Sequence, residues 1–138
     1  MSITPEELRM VQASLDRLRE NFDSHSTFFY DALFRHAPQL RQMFRDDLTG
    51  QGMKFMTTLD VIVQKLDNED QIAEQYKGLG HSHARLGIKA ADFSPMEEAL
   101  IDTLKNALDD FTPGQEAAWR RAYGVVAGNM IARGGIDA

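Results

Sequence analysis

Three observations predict an all-α fold for this 138-residue chain. Helix starts are punctuated by proline, apolar residues recur every third or fourth position, and alternating strand patterns and Asn-Gly hairpin signals are missing. The starts share one grammar: Thr4-Pro5-Glu6-Glu7, Ser94-Pro95-Met96-Glu97 and Thr112-Pro113-Gly114-Gln115. Each sets a hydroxyl residue at the cap, proline first in the helix, and Glu or Gln three residues after the cap. In such a capping box the side chains satisfy the backbone amides that a helix start leaves unpaired. Asn68 followed by Gln71 is a weaker fourth case.

Taken in order, the first helix carries Leu8, Val11, Leu15, Leu18 and Phe22 on one stripe. A second runs from His25 to Arg35 and stops ahead of Pro38, which disfavours helix in the residue before it. The turn "PQLRQMF" and the loop "RDDLTG" lead into a helix from Gln51 to Leu66, whose inward stripe reads Gln51, Phe55, Leu59 (or Thr58), Ile62 and Leu66. Residues 71 to 86 form another helix. Leu100, Leu104, Ala107 and Phe111 mark the next, and Trp119, Tyr123, Val126 and Met130 mark the last, which Gly134-Gly135 ends. About six to eight helices in one domain are expected.

Composition narrows the function. A net charge of −6 argues against a nucleic-acid partner bound through its phosphates, and the "WRR" at 119–121 reads as a solvated helix face. With no cysteine there is no disulfide, thiolate metal site, thiol nucleophile or thioether-linked cofactor. No apolar run approaches the ~18 residues of a membrane span, and "MSITPEEL" lacks a signal-peptide layout. A soluble cytoplasmic protein is the expectation.

The stretch "YKGLGHSHARLGIKAADF" holds His81 and His83. On a helix, Ile72, Tyr76, Leu79 and His83 share one stripe, whereas Glu74, Lys77, His81 and Arg85 share a charged one. The two histidines diverge by roughly 200°, so they cannot chelate one ion from one helix. His81 reads as a surface histidine. His83 lies inward, where an imidazole needs partners for its nitrogens; a core histidine bonded to a backbone carbonyl and a ligand both meet that need. "GLGHSH" lacks the third glycine and the preceding strand of a dinucleotide loop. Tyr30, among Phe28, Phe29, Leu33 and Phe34, and Gln51, at the start of an apolar stripe, are two further polar intruders. Together they suggest a pocket with ligation from one side and hydrogen bonding from the other.

The whole pattern resembles the globin family, close to the single-domain bacterial haemoglobins and the globin module of flavohaemoglobins. "FYDALFRHAPQLRQMF", "QGMKFMTTL", "LGHSHARLGI" with Phe93, and "AWRRAYGVVAGNMI" carry the likeness over nearly the whole length. The resemblance implies a globin fold sandwiching haem b, iron protoporphyrin IX, with His83 as the iron ligand. It further implies Phe44 stacked on the haem, Phe55 over its face, Lys54 beside a propionate, Ser82 as a contact of a propionate or of the ligating histidine, and Leu79, Ile88 and Phe93 as an apolar wall. Tyr30 and Gln51 take the distal positions as donors to a bound ligand that carries partial negative charge. Two donors imply tight, slowly released oxygen at a five-coordinate ferrous haem that also takes CO and NO.

The family's flavohaemoglobin-like members brace the proximal histidine with tyrosine and glutamate; Phe93 and Gly134 stand at the matching positions, so both braces are missing. The reductase domain of those enzymes is expected to be missing too. Oxygen carriage, delivery or sensing is the leading expectation. NO dioxygenation with a separate reductase is the second, and a haem-free sensor or interaction module the third. Oligomeric state is not legible from the sequence.

Overall fold

The computed structural model describes residues 3–43, 59–66, 76–81, 84, 88–134 and 136. Among these, every regular element is helical. Helix α1, Pro5–Leu18, starts where expected. The Thr4 hydroxyl accepts the Glu7 N–H at 3.1 Å, and the Glu7 carboxylate accepts the Thr4 N–H at 3.1 Å. Its inward stripe, Leu8, Val11, Leu15 and Leu18, is buried throughout.

The stripe then breaks. A 3-10 turn, Arg19–Asn21, intervenes, and Phe22 opens helix α2, Phe22–His36, instead of closing α1. The periodicity alone merges the two because a single tighter turn barely changes which side faces in. At the far end of α2 the Ala37 N–H still reaches the Leu33 carbonyl at 2.8 Å, and Pro38 has no N–H with which to continue. The turn Pro38–Met43 is a 3-10 helix that buries Leu40.

Helix α3, Phe93–Ala107, corrects a second expectation. Ser94 is not its cap: the helix follows directly on a 3-10 turn, Ala90–Asp92, and Ser94-Pro95 fall inside the first turn. Proline is tolerated there because the amides of a first turn have no intrahelical acceptor anyway. Asp92 instead accepts the Lys89 N–H at 2.9 Å. Phe111, expected as the last residue of this helical stripe, lies beyond its end at Ala107 and packs against the core from the following loop. Helix α4, Pro113–Gly134, begins as expected, with reciprocal bonds between Thr112 and Gln115 at 2.8 and 3.1 Å.

Helix α3 packs along α2 and touches α4, and α1 packs along α4. Between them lies one apolar core in which Leu33, Leu40, Leu100, Ile101, Leu104 and Trp119 lose almost all contact with water. The helical stretch 59–64 adds Leu59, Ile62 and Val63, followed by Leu66, which agrees with the inward stripe expected there. Gln51, Phe55 and Thr58 of that stripe lie outside the described residues. Thr103 is fully buried, and its hydroxyl donates to the Ala99 carbonyl at 2.8 Å, so burial leaves no donor unmet there.

The "WRR" segment splits between core and rim. Trp119 points inward, whereas Arg120 holds Glu97, Glu98 and Glu116 at 2.6–3.0 Å and Arg121 meets Glu7 at 3.1 Å. The two cations are therefore matched by carboxylates. The Arg120 guanidinium keeps the Glu98 carboxyl below its ordinary pKa, chiefly through their hydrogen bond.

Urea unfolding tests this ranking of core over rim. Leu104→Ala is expected to cost about 2–5 kcal/mol, the usual price of an unfilled core cavity. Thr112→Ala should cost about 1 kcal/mol through the lost cap. Disruption of the exposed Arg17–Asp110 pair by Arg17→Ala should change stability by less than about 1 kcal/mol. An Arg17→Ala effect equal to that of Leu104→Ala would show that the rim carries the fold.

Candidate functional site

Four of the expected site residues are described: Tyr30, Leu79, Ile88 and Phe93. His83, Phe44, Gln51, Lys54, Phe55 and Ser82 lie outside the described residues. The four come from three places in the fold and join one apolar core. Tyr30 comes from α2, Leu79 from the helical stretch 76–81, and Ile88 and Phe93 from the approach to α3.

Tyr30 is buried for a local reason. Its α2 neighbours are aromatic, with the Phe29 ring edge-on at 5.4 Å between centroids and the Phe34 ring stacked at 5.9 Å. The Arg41 guanidinium lies 5.1 Å over the outer ring, Phe34, a cation–π contact that closes this cluster from the solvent side. Burial disfavours the phenolate, and the Tyr30 hydroxyl is pushed up to about 12. The phenol is protonated at neutral pH, as an ordinary tyrosine is, and burial extends that range upward.

On the other side, Ile88 and Phe93 are 3% and 5% exposed, so the approach to α3 presents hydrocarbon to the core. Phe93 is also fastened from outside its own helix: the Tyr123 hydroxyl of α4 donates to its backbone carbonyl at 2.8 Å. Burial pushes the Tyr123 phenol up as well, and the nearby Glu97 charge adds to the shift. The sequence placed Tyr123 on a core stripe but had no signal for this bond, which joins residues 30 positions apart.

The helical stretch 76–81 divides its faces as its spacing predicts. Tyr76 is buried and Leu79 half-buried, whereas Lys77 and His81 are exposed. His81 is thus the surface histidine. Sequence reasoning missed Gly80, which is buried against the last turn of α4. A Cβ on Gly80 would collide with the Gly134 Cα and lie 2.6 Å from the Met130 carbonyl oxygen. One on Gly134 would collide with the Gly80 Cα and lie 2.6 Å from its carbonyl carbon. The only available signal was the second glycine of "GLGH", which also reads as a loop fragment.

The described site residues thus bring the Tyr30 hydroxyl and the hydrocarbon of Leu79, Ile88 and Phe93 to one core. The family model described as Globin matches residues 27–130, from within α2 to near the end of α4. The chain belongs to the globin family. This globin is 28% identical over 130 residues to a flavohemoprotein of Bacillus subtilis, a match covering 90% of this chain and 32% of the relative. A flavohemoprotein of Vibrio cholerae is 25% identical over 137 residues, covering 96% of this chain and 35% of the relative. Another from Halalkalibacterium halodurans is 25% identical over 134 residues, covering 94% and 33%. The globin therefore spans about a third of the length of these curated relatives. No described helix is long and apolar enough to cross a membrane.

The buried phenols make a pH prediction for this globin. An unfolded tyrosine titrates near ~10, whereas folded Tyr30 keeps its proton to about 12. Between those values the folded state binds more protons than the unfolded one, so the contribution is complete at neutral pH and is lost as pH rises through the window. Urea midpoints should fall above about pH 10, and less steeply in Tyr30→Phe than in the wild type. Parallel curves for the two proteins would show that Tyr30 is not desolvated.

Proposed function

We propose that this globin binds haem b in the cytoplasm and reversibly binds dioxygen, and also CO and NO, at a five-coordinate ferrous haem, for carriage, delivery or sensing. The observation that carries the reading is Tyr30, a phenol buried in an apolar core within the region that matches the globin family. When bound, haem supplies an iron centre that takes diatomic ligands.

The chain's own residues do the rest. His83 would give one ring nitrogen to the iron and donate from the other to a carbonyl or hydroxyl, which fixes the ring. Tyr30 and Gln51 would donate hydrogen bonds to the ligand, favouring dioxygen over carbon monoxide because dioxygen takes on more negative charge. Leu79, Ile88 and Phe93 would exclude water, which slows oxidation of the iron. Phe44 and Phe55 would pack on the haem faces, with Lys54 and Ser82 near its propionates.

A second reading is NO dioxygenation with a separate reductase. What favours it is the match to proteins named flavohemoproteins, of which this chain spans about a third. NO consumption by the globin with an external electron donor, set against the globin alone, separates it from simple carriage. A haem-free interaction module is the third reading, and haem uptake decides against or for it.

Absorption spectra in ferric, ferrous and CO-bound forms test the haem assignment. The ferrous protein is expected to be five-coordinate and to shift with CO, and His83→Gly to alter or abolish that spectrum. Trp119, the chain's one tryptophan, should lose emission as haem enters. Tyr30→Phe should speed oxygen release by up to about tenfold, the worth of one hydrogen bond of up to about 1.4 kcal/mol. An unchanged spectrum in His83→Gly would remove His83 as the ligand.

A further inference from the structure

We propose that the backbone contact between Gly80 and Gly134 is a positioning device for the iron ligand; this rests on the haem reading above. The last turn of α4 lies against the helical stretch 76–81 with no side-chain atom between them at these two residues. A Cβ on either glycine would collide with the Cα of the other. A Cβ on Gly134 would also stand 3.1 Å from the His81 amide nitrogen, and one on Gly80 would stand 2.6 Å from the Met130 carbonyl oxygen. All of these neighbours are backbone atoms. Backbone cannot rotate aside as the end of a flexible side chain does, so an added methyl group must displace one helix relative to the other.

The displacement has a direction in sequence. Gly80 stands three residues before His83, and the chain is helical from 76 to 81. A displacement imposed at Gly80 is therefore imposed three residues along the chain from the one that would hold the iron. The other glycines of α4 are different. Gly124 and Gly128 have open space where a Cβ would be, so the close approach belongs to Gly134 and not to the helix as a whole. Just past this end of α4, Ile136 is buried and its N–H reaches the Ile131 carbonyl at 3.4 Å. The α4 side of the contact is therefore anchored in the core next to Gly134.

Resonance Raman spectroscopy of the ferrous holoprotein reads the iron–histidine stretch, which reports strain at that bond and is insensitive to packing elsewhere. Gly134→Ala and Gly80→Ala are expected to move or broaden the band, and Gly128→Ala to leave it where the wild type has it. Identical bands in all four proteins would overturn the proposal. Should both contact variants fail to fold, Ile136→Ala frees the end of α4 without adding an atom at the contact; it is expected to broaden the band, and an unchanged band there overturns the proposal equally. A wild-type protein that takes up no haem overturns the haem reading and the positioning role with it. Apoprotein melting of Gly134→Ala against Gly128→Ala then shows whether the contact survives as packing alone.

Discussion

Burial of the α3 stripe between α2 and α4 is the constraint from which the rest of this structure follows. Leu100, Ile101 and Leu104 are almost wholly removed from water, and each Å² of apolar surface so removed favours the fold by roughly 25 cal/mol. The stripe can be covered only if α2 and α4 both lie against it. That requirement sets where Tyr30 sits, because it belongs to α2. It also sets where Phe93 sits, because it opens α3 within reach of the Tyr123 hydroxyl on α4. The charged rim follows the core and does not direct it. Arg120 and its three glutamates, like His36 and Asp102 at 2.7 Å, join helices that hydrophobic burial has already brought together. Partly exposed pairs of this kind add little each.

Local features of the fold were legible in the sequence, and features that depend on distant pairing were not. The caps at Thr4 and Thr112 involve groups three residues apart, so the pattern and the structure coincide there. The start of α3 was misplaced because a 3-10 turn can lead into a helix without any capping side chain, and Ser94-Pro95 resembles a start while tolerating a position just inside one. Phe22 was assigned to the wrong helix for a related reason: apolar spacing does not register the 3-10 turn that separates α1 from α2.

The site divides along the same line. The exposure of His81 followed from the angle between two positions on one helix, and the structure agrees. Burial of Tyr30 followed from its aromatic neighbours, Phe29 beside it and Phe34 one turn on. The Tyr123–Phe93 bond and the Gly80–Gly134 approach connect residues 30 and 54 positions apart, and no local pattern announces either. His83, Phe44 and Gln51 rest on spacing and family resemblance. Their identification is of the kind that a sequence supports best when several intervals agree at once.

The contact between Gly80 and Gly134 also bears on how this chain can change over generations. Glycine is the smallest residue, so every substitution at either position adds atoms where the other's backbone already stands. Neither residue can drift alone while the two helices keep their spacing. A change at one becomes tolerable only after the helices have separated, and separation in turn removes the selection that keeps the other small. The two sites are thus bound into a shared evolutionary fate across 54 residues of chain, and a lineage that leaves this arrangement would need several coordinated changes to return to it.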